Sequence, residues 1–194
     1  AGVYPMNSLA QLWREVSLHL ELNESVRRIA PMLAEHLPLQ QLIVRKLERD
    51  PVRLTTIAAA AARPDDPSES ASTRTDCEPG SNNELQTRLS AERAWLLTPD
   101  SSLSRAVLPQ GVSGSVIALP LSASGRPLGV ALLMARCPNV FTQQQVSTAQ
   151  QLVEPLRVAF ENDQRLNELA RMREALEADR RALLSRLDRQ DISD

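Results

Sequence analysis

The chain has 194 residues, 42% of them hydrophobic, which is enough for one well-buried core and cramped for two, so a single domain with an appended element is expected. With Lys+Arg 22 against Asp+Glu 24 the net charge is -2, which offers no strong field toward phosphate backbones or anionic lipid. Aromatics at 3% are too few for a base-stacking surface, and no apolar run reaches about 18 residues, so nucleic-acid binding by this segment and a membrane partner are not expected, and a cytoplasmic location is.

Residues 7–20 open with Asn7 or Ser8 as a cap and place Leu9, Leu12, Trp13, Val16 and Leu20 on one helical stripe. Asn23 is expected to cap a second helix reaching Leu37, with Val26, Ile29, Leu33 and Leu37 inward and Pro31 kinking or dividing it. Strands are predicted over 41–48 and 53–61. The stretch 62–83, rich in Pro, Asp, Ser, Glu and Thr, reads as a mobile loop that could act as a lid. Helical spacing returns over 84–97 through Leu85, Leu89 and Trp95, closed by Thr98-Pro99-Asp100, and 101–110 leads onward.

Two runs apolar on both alternating faces, 116–121 and 128–135, read as central strands covered on both sides. Residues 122–127 connect them as a hairpin, with Gly125 able to take a positive φ and Pro127 where a strand begins. Thr142 followed by Gln145 is a capping box, and Phe141 with Val146 forms a hydrophobic staple. Helical spacing then runs to about Gln190, which as one helix would extend about 70 Å, with a kink expected near Gln151 because Pro155 lacks an amide donor. Leu169, Leu176 and Leu183 are seven apart, a heptad seam weakened by Arg173 and Arg180 at companion positions. Glu161 with Arg165 and Glu177 with Arg181 are expected i,i+4 pairs.

The hairpin with its G-R-P-L-G-V, then F-T, then a helix passing through A-F-E-N, resembles the C-terminal half of a GAF domain, and the N-terminal half agrees in outline. The resemblance implies an α+β fold over residues 8–165: a central antiparallel sheet with the N- and C-terminal helices on one face and a ligand pocket on the other. Residues 166–194 then form a helical linker or coiled coil. It also implies a small-molecule-sensing module that dimerises through its first and last helices, with Leu12, Val16, Phe160, Leu169, Leu176 and Leu183 on the dimer or signalling surface. The Arg/Leu-rich terminal helix further resembles the regulatory domain of bacterial sigma-54-dependent transcriptional activators. There an AAA+ ATPase follows, and sigma-54 RNA polymerase and DNA would be met only through domains beyond this chain. The same module could instead serve a histidine kinase or a cyclic-dinucleotide enzyme, or be a degenerate scaffold that only dimerises. An Arg-dominated basic complement, with Lys46 the single lysine, fits a GC-rich bacterial source, and residues 1–5 before Met6 read as a vector remnant.

Catalytic motifs are missing: there is no nucleophile elbow, Walker A loop, G-x-G-x-x-G or H-E-x-x-H, so no enzyme is expected. His19 and His36 sit apart on predicted helices, and Cys77 and Cys137 form no C-x-x-C, so neither metal nor cofactor is expected and the thiols read as free. The cysteine patterns of sulfoxide-reducing and bilin-attaching GAF members, and the N-K-x-x-F of the cyclic-nucleotide class, are not found in the chain. For a ligand, Arg45 shares a strand face with Ile43 and Leu47 and could offer a bidentate fork to a carboxylate, or else form an ion pair at the strand end. Trp95 and Arg105 lie in the segment that in this fold covers the pocket, though core packing also accounts for Trp95. Ser115, in Ser113-Gly114-Ser115, either contacts ligand or eases entry into a strand.

Overall fold

The computed structural model describes residues 21–66, 74–98, 100–110, 112 and 114–191. The first expected helix, with Leu12, Val16 and His19, lies outside the described residues, as does the middle of the expected loop. The first described helix, α1 (Leu22–Leu33), buries Leu22, Val26, Ile29, Ala30 and Leu33, the i, i+3/i+4 stripe of an amphipathic helix. Asn23 sits in its first turn rather than at its cap. The helix runs undivided through Pro31 and ends at Leu33, where the missing amide costs only the final turn. Leu37 is buried in the turn that follows.

Six strands form one antiparallel sheet: β1 (Leu39–Arg49), β2 (Val52–Ala61), β3 (Arg74–Asp76), β4 (Trp95–Leu96), β5 (Val116–Ala123) and β6 (Arg126–Ala135), in the order β3-β2-β1-β6-β5-β4. The expected hairpin is the β5-β6 pair. Its two turn residues, Ser124 and Gly125, have φ of 51° and 74°, the type I′ turn whose twist suits a hairpin. The second glycine of the G-R-P-L-G-V run has a different task. Gly129 pairs with Lys46 across β6 and β1, and a Cβ there would fall 2.2 Å from the Arg45 carbonyl oxygen.

Between β2 and β5 the structure differs from the expected long loop and late helix. Helix α2 (Pro79–Ser90) begins five residues before expectation and ends at Ser90, so Trp95 lies on a strand. The polar run Pro79-Gly-Ser-Asn-Asn83 conceals the helix start, yet Pro79 occupies the first turn, where its missing amide costs nothing. Ser81, Leu85 and Leu89 then face inward. Residues 102–107, expected only to lead onward, form α3 (Ser102–Val107), capped by Ser101, whose Oγ accepts from the Ser104 amide at 3.0 Å.

The two sheet faces have separate covers. On one, Ile43, Leu47, Leu54, Ala118, Val130 and Leu132 join Leu85 and Leu89 of α2 and Leu103 and Val107 of α3 in a single cluster. On the other, alternation places Leu42, Val44, Ile117, Leu119, Ala131 and Leu133, all fully buried, and α1 packs over β1 and β2.

The expected capping box forms: Thr142 Oγ1 accepts from the Gln145 amide at 3.3 Å while Gln145 Oε1 accepts from the Thr142 amide at 2.9 Å. Phe141 and Val146 are both buried, as a staple requires. The single 142–190 helix is instead two helices, α4 (Gln143–Ala149) and α5 (Val153–Asp191), separated by a 3-10 turn over Gln150–Leu152. That break lies where Pro155 withholds a donor from Gln151, and α5, at 39 residues, is about 58 Å long. The described residues divide into two units, one ending at Ala159 and the other beginning at Phe160.

Candidate functional site

An open cleft of about 360 Å³ lies beside β3 and the segment running from Asp100 through α3 to Gly114. Its lining includes the polar residues Thr75, Asp76, Asp100, Arg105 and Gln110 beside the apolar Leu108 and Val112, and the Asp76 carboxylate lies 3.8 Å from Arg53. A second concavity of about 60 Å³ shares Asp76 and Arg105. Ser101 and Ser104 build the shelf that presents Arg105: both hydroxyls donate to the Thr98 carbonyl, at 3.0 and 2.9 Å. Leu103, Ala106 and Val107 turn inward, which leaves Arg105 exposed. Among the described residues its guanidinium makes no hydrogen bond or ion pair.

Arg45 is fully buried and lies behind the cleft rather than in its lining. Nη1 donates to the Val107 carbonyl at 2.9 Å, and Nη2 donates to the Leu54 carbonyl at 3.0 Å and to Thr75 Oγ1 at 2.9 Å. The side chain thus ties β1 to β2, to β3 and to the C-terminal end of α3, where Val107 has an orphan carbonyl. These bonds use donors that a bidentate fork would have offered to a ligand. Next to it, Cys77 packs half-buried against the core; burial pushes its thiol pKa up, against a lowering by Arg45 and with a further rise from Asp76.

Trp95 is buried in the α2-side cluster with the Arg88 guanidinium 5.9 Å from its ring centroid, and its Nε1–H has no hydrogen-bond partner in the described structure. Ser115 is buried just before β5, its carbonyl accepting from the Ala135 amide at 2.9 Å, outside the cleft lining. Of the four residues expected at a ligand, therefore, the structure brings Arg105 to the cleft and Arg45 to one hydrogen bond behind it. Thr75 and Asp76 escaped sequence reasoning because a three-residue strand inside a polar stretch shows no period. No cluster of three or more His, Cys, Asp or Glu suited to a metal occurs among the described residues.

Helix α5 carries the other candidate surface. Leu166, Leu169, Met172, Leu176, Leu183 and Leu187 are between 53% and 70% exposed, whereas Phe160, expected on the same surface, is buried within the chain. Arg165 pairs with Glu161 at 3.8 Å as expected, but Glu177 pairs with Arg173 at 3.1 Å, while Arg181 Nε donates to the Glu177 carbonyl at 3.3 Å. The 3-10 turn preceding α5 is tied to the turn between α2 and β4: Gln150 Nε2 donates to the Glu92 carbonyl at 2.9 Å, and Gln150 Oε1 accepts from the Ala94 amide at 2.5 Å. Ser122 Oγ donates to Glu92 Oε1 at 2.6 Å, holding the same turn to β5.

No family model matches the chain, and no curated protein does. Solved structures do. The GAF domain of a phosphoenolpyruvate-protein phosphotransferase from Acinetobacter aligns with TM-score 0.58 at 16% identity, covering 82% of this chain and 95% of its own. The fold is that of a GAF domain. A phycoerythrobilin-bound GAF domain from a cyanobacterial phytochrome aligns at 0.60 with 11% identity, covering 84% and 98%. Free methionine-R-sulfoxide reductase from Neisseria meningitidis, solved with its substrate, aligns at 0.59 with 14% identity, covering 83% and 91%. Among the described residues no helix is long and apolar enough to cross a membrane.

Proposed function

We propose that this chain is the small-molecule-sensing and dimerising regulatory domain of a bacterial sigma-54-class transcriptional activator, passing ligand state through α5 to an AAA+ ATPase. The observation that carries the reading is the row of exposed leucines on α5, since an isolated helix has no reason to place Leu169, Leu176 and Leu183 in water at heptad spacing. A parallel or antiparallel second copy buries that row. The Arg173–Glu177 pair offsets one of the two seam charges within its own helix. The cleft supplies a place for ligand, and the Gln150 clamp supplies a link from the 91–94 turn to the start of α5. Ligand shifts the dimer only if it binds two helix arrangements with different affinity.

The scaffold reading has its own support: Leu85, Leu89, Leu103 and Val107 fill the space between α2, α3 and the sheet, and the cleft described above lies beside that filled space. Sedimentation velocity of the whole chain and of a Leu169→Ser/Leu176→Ser/Leu183→Ser variant tests the proposal. A concentration-dependent dimer that the variant abolishes supports it, and a wild-type monomer at every concentration overturns it. A thermal-shift screen then separates sensor from scaffold, because a ligand of the folded state raises Tm by mass action.

A further inference from the structure

The exposed face of α5 has an internal order. In heptads counted from Leu166, the a positions are Leu166, Arg173, Arg180 and Leu187, and the d positions include Leu169, Leu176 and Leu183. The cations are thus confined to a, while these d positions are all leucine. Arg173 is held by Glu177 of its own helix at 3.1 Å, whereas Arg180 makes no hydrogen bond or ion pair among the described residues. A parallel pair stacks a on a, so Arg173 and Arg180 would each meet their own copy in the seam. Asp179, at g, would flank the Arg180 layer there, but only Met172 would flank the Arg173 layer. An antiparallel pair stacks a on d, and every seam arginine then lies its aliphatic stem on a leucine.

We propose that α5 binds a second copy of itself antiparallel, centred on Ala178. Leu169 then faces Leu187 of the second copy, Leu176 faces its Arg180, and Leu183 faces its Arg173. Antiparallel packing sets the e positions beside the opposing a residues, which brings Glu177 of each copy to Arg180 of the other. Glu177 thereby serves both seam cations, Arg173 within the helix and Arg180 across the pair. Leu184, 50% exposed and also at e, is covered by the opposing Arg173 stem. Moving the centre half a heptad toward Glu174 would instead leave Arg180 beside Ala170 and Leu187 facing Asn162. The Ala178 register has one rim cost: Asp179 meets its own copy across the g positions, in water, where like charges repel weakly. The C-terminal ends of α5 fall about 40 Å apart along the axis at 1.5 Å per residue, so output domains carried there are kept apart while the pair holds. The assignment rests on the dimerising reading and fixes the direction and register of the partner.

Nitroxide labels on Gln164→Cys, in a Cys77→Ser/Cys137→Ser background of the whole chain, report the direction by pulsed electron–electron double resonance. The antiparallel register separates the two labels by about 42 Å along the axis. A parallel pair brings them within about 30 Å, the spacing of two packed helices plus the label arms. Sedimentation equilibrium of Asp179→Asn, made in the natural cysteine background, separates the cases by sign. The antiparallel pair loses a repulsion and its dissociation constant falls about twofold or more, whereas a parallel pair loses the neighbour of Arg180 and weakens. The long distance together with the tighter Asp179→Asn dimer is the expected result. A short distance, or an Asp179→Asn dimer that is unchanged or weaker, overturns the assignment and leaves the dimerising reading standing. A chain that stays monomeric, or a dimer left intact by Leu169→Ser/Leu176→Ser/Leu183→Ser, overturns both.

Discussion

Replacing Arg45 with Met keeps an unbranched apolar stem among Ile43, Leu47 and Leu54 but removes the guanidinium that joins β1, β2, β3 and α3. Three acceptors then lose a donor: the Val107 carbonyl, the Leu54 carbonyl and Thr75 Oγ1. The Val107 carbonyl is the costly one, because it ends a helix and has no intrahelical partner. A buried acceptor left without a donor costs about 1–3 kcal/mol, whereas the Thr75 hydroxyl can rotate and lose less. Against this, the variant no longer buries a guanidinium, whose desolvation costs several kcal/mol in its own right. The three charge-assisted bonds, at about 1.5–3 kcal/mol each, together outweigh that relief, and the expected net loss is about 2–4 kcal/mol, a fall in Tm of roughly 5–15 °C for a domain of this size. Urea unfolding followed by circular dichroism reads it as a lower midpoint at unchanged slope. Arg45→Lys, which keeps the charge but not the fork, should fall between. A Met variant as stable as the wild type, or more stable, would refute the view of Arg45 as the tie between these elements.

Gly129→Ala sets a Cβ 2.2 Å from the Arg45 carbonyl oxygen, main chain that cannot swing aside, so a loss of about 3 kcal/mol or more, or failure to accumulate folded protein, is expected in the same urea assay. Gln150→Leu removes both bonds to the 92–94 turn and is expected to cost about 1–2 kcal/mol while speeding amide exchange at Ala94. For the thiols, the sign follows from burial: the raised pKa of Cys77 leaves less thiolate at pH 8 than an ordinary cysteine has, and its bulk is half covered. Iodoacetamide should therefore label exposed Cys137 first, with Cys77 catching up as pH rises, and equal rates at pH 8 would contradict the burial argument.

What was legible in the sequence was whatever depends on local chemistry or on long apolar runs. The β5-β6 hairpin, its Gly125 turn, the Thr142–Gln145 capping box and the break before Pro155 could all be read directly, because each is encoded within a few residues. In the segment from 74 to 97 only the middle of the helix, marked by Leu85 and Leu89, could be read, and neither its start nor the strands on either side. A three-residue strand has no period, and α2 begins in Pro-Gly-Ser-Asn-Asn, whose helical start depends on Leu85 and Leu89 docking later in the chain. The cleft was obscured for the same reason, since Thr75 and Asp76 come from that strand. Arg45 stands out in the sequence as an Arg on an apolar strand face, but its bonds to two carbonyls and a hydroxyl are neither the ligand fork nor the strand-end ion pair expected of it. Which acceptors it finds is a matter of sequence separations as large as 62 residues, beyond any local pattern.

The linkage between cleft and helix is the claim on which the functional reading turns. Sedimentation equilibrium measures it directly, by giving the dimer dissociation constant of the whole chain in buffer and against separate pools of small carboxylates, amines and amino acids. A reversible dimer is expected, with at least one pool shifting its constant about fivefold or more, the ordinary scale of coupling between sites. A chain that stays monomeric throughout, or a dimer whose constant no pool alters, would contradict it.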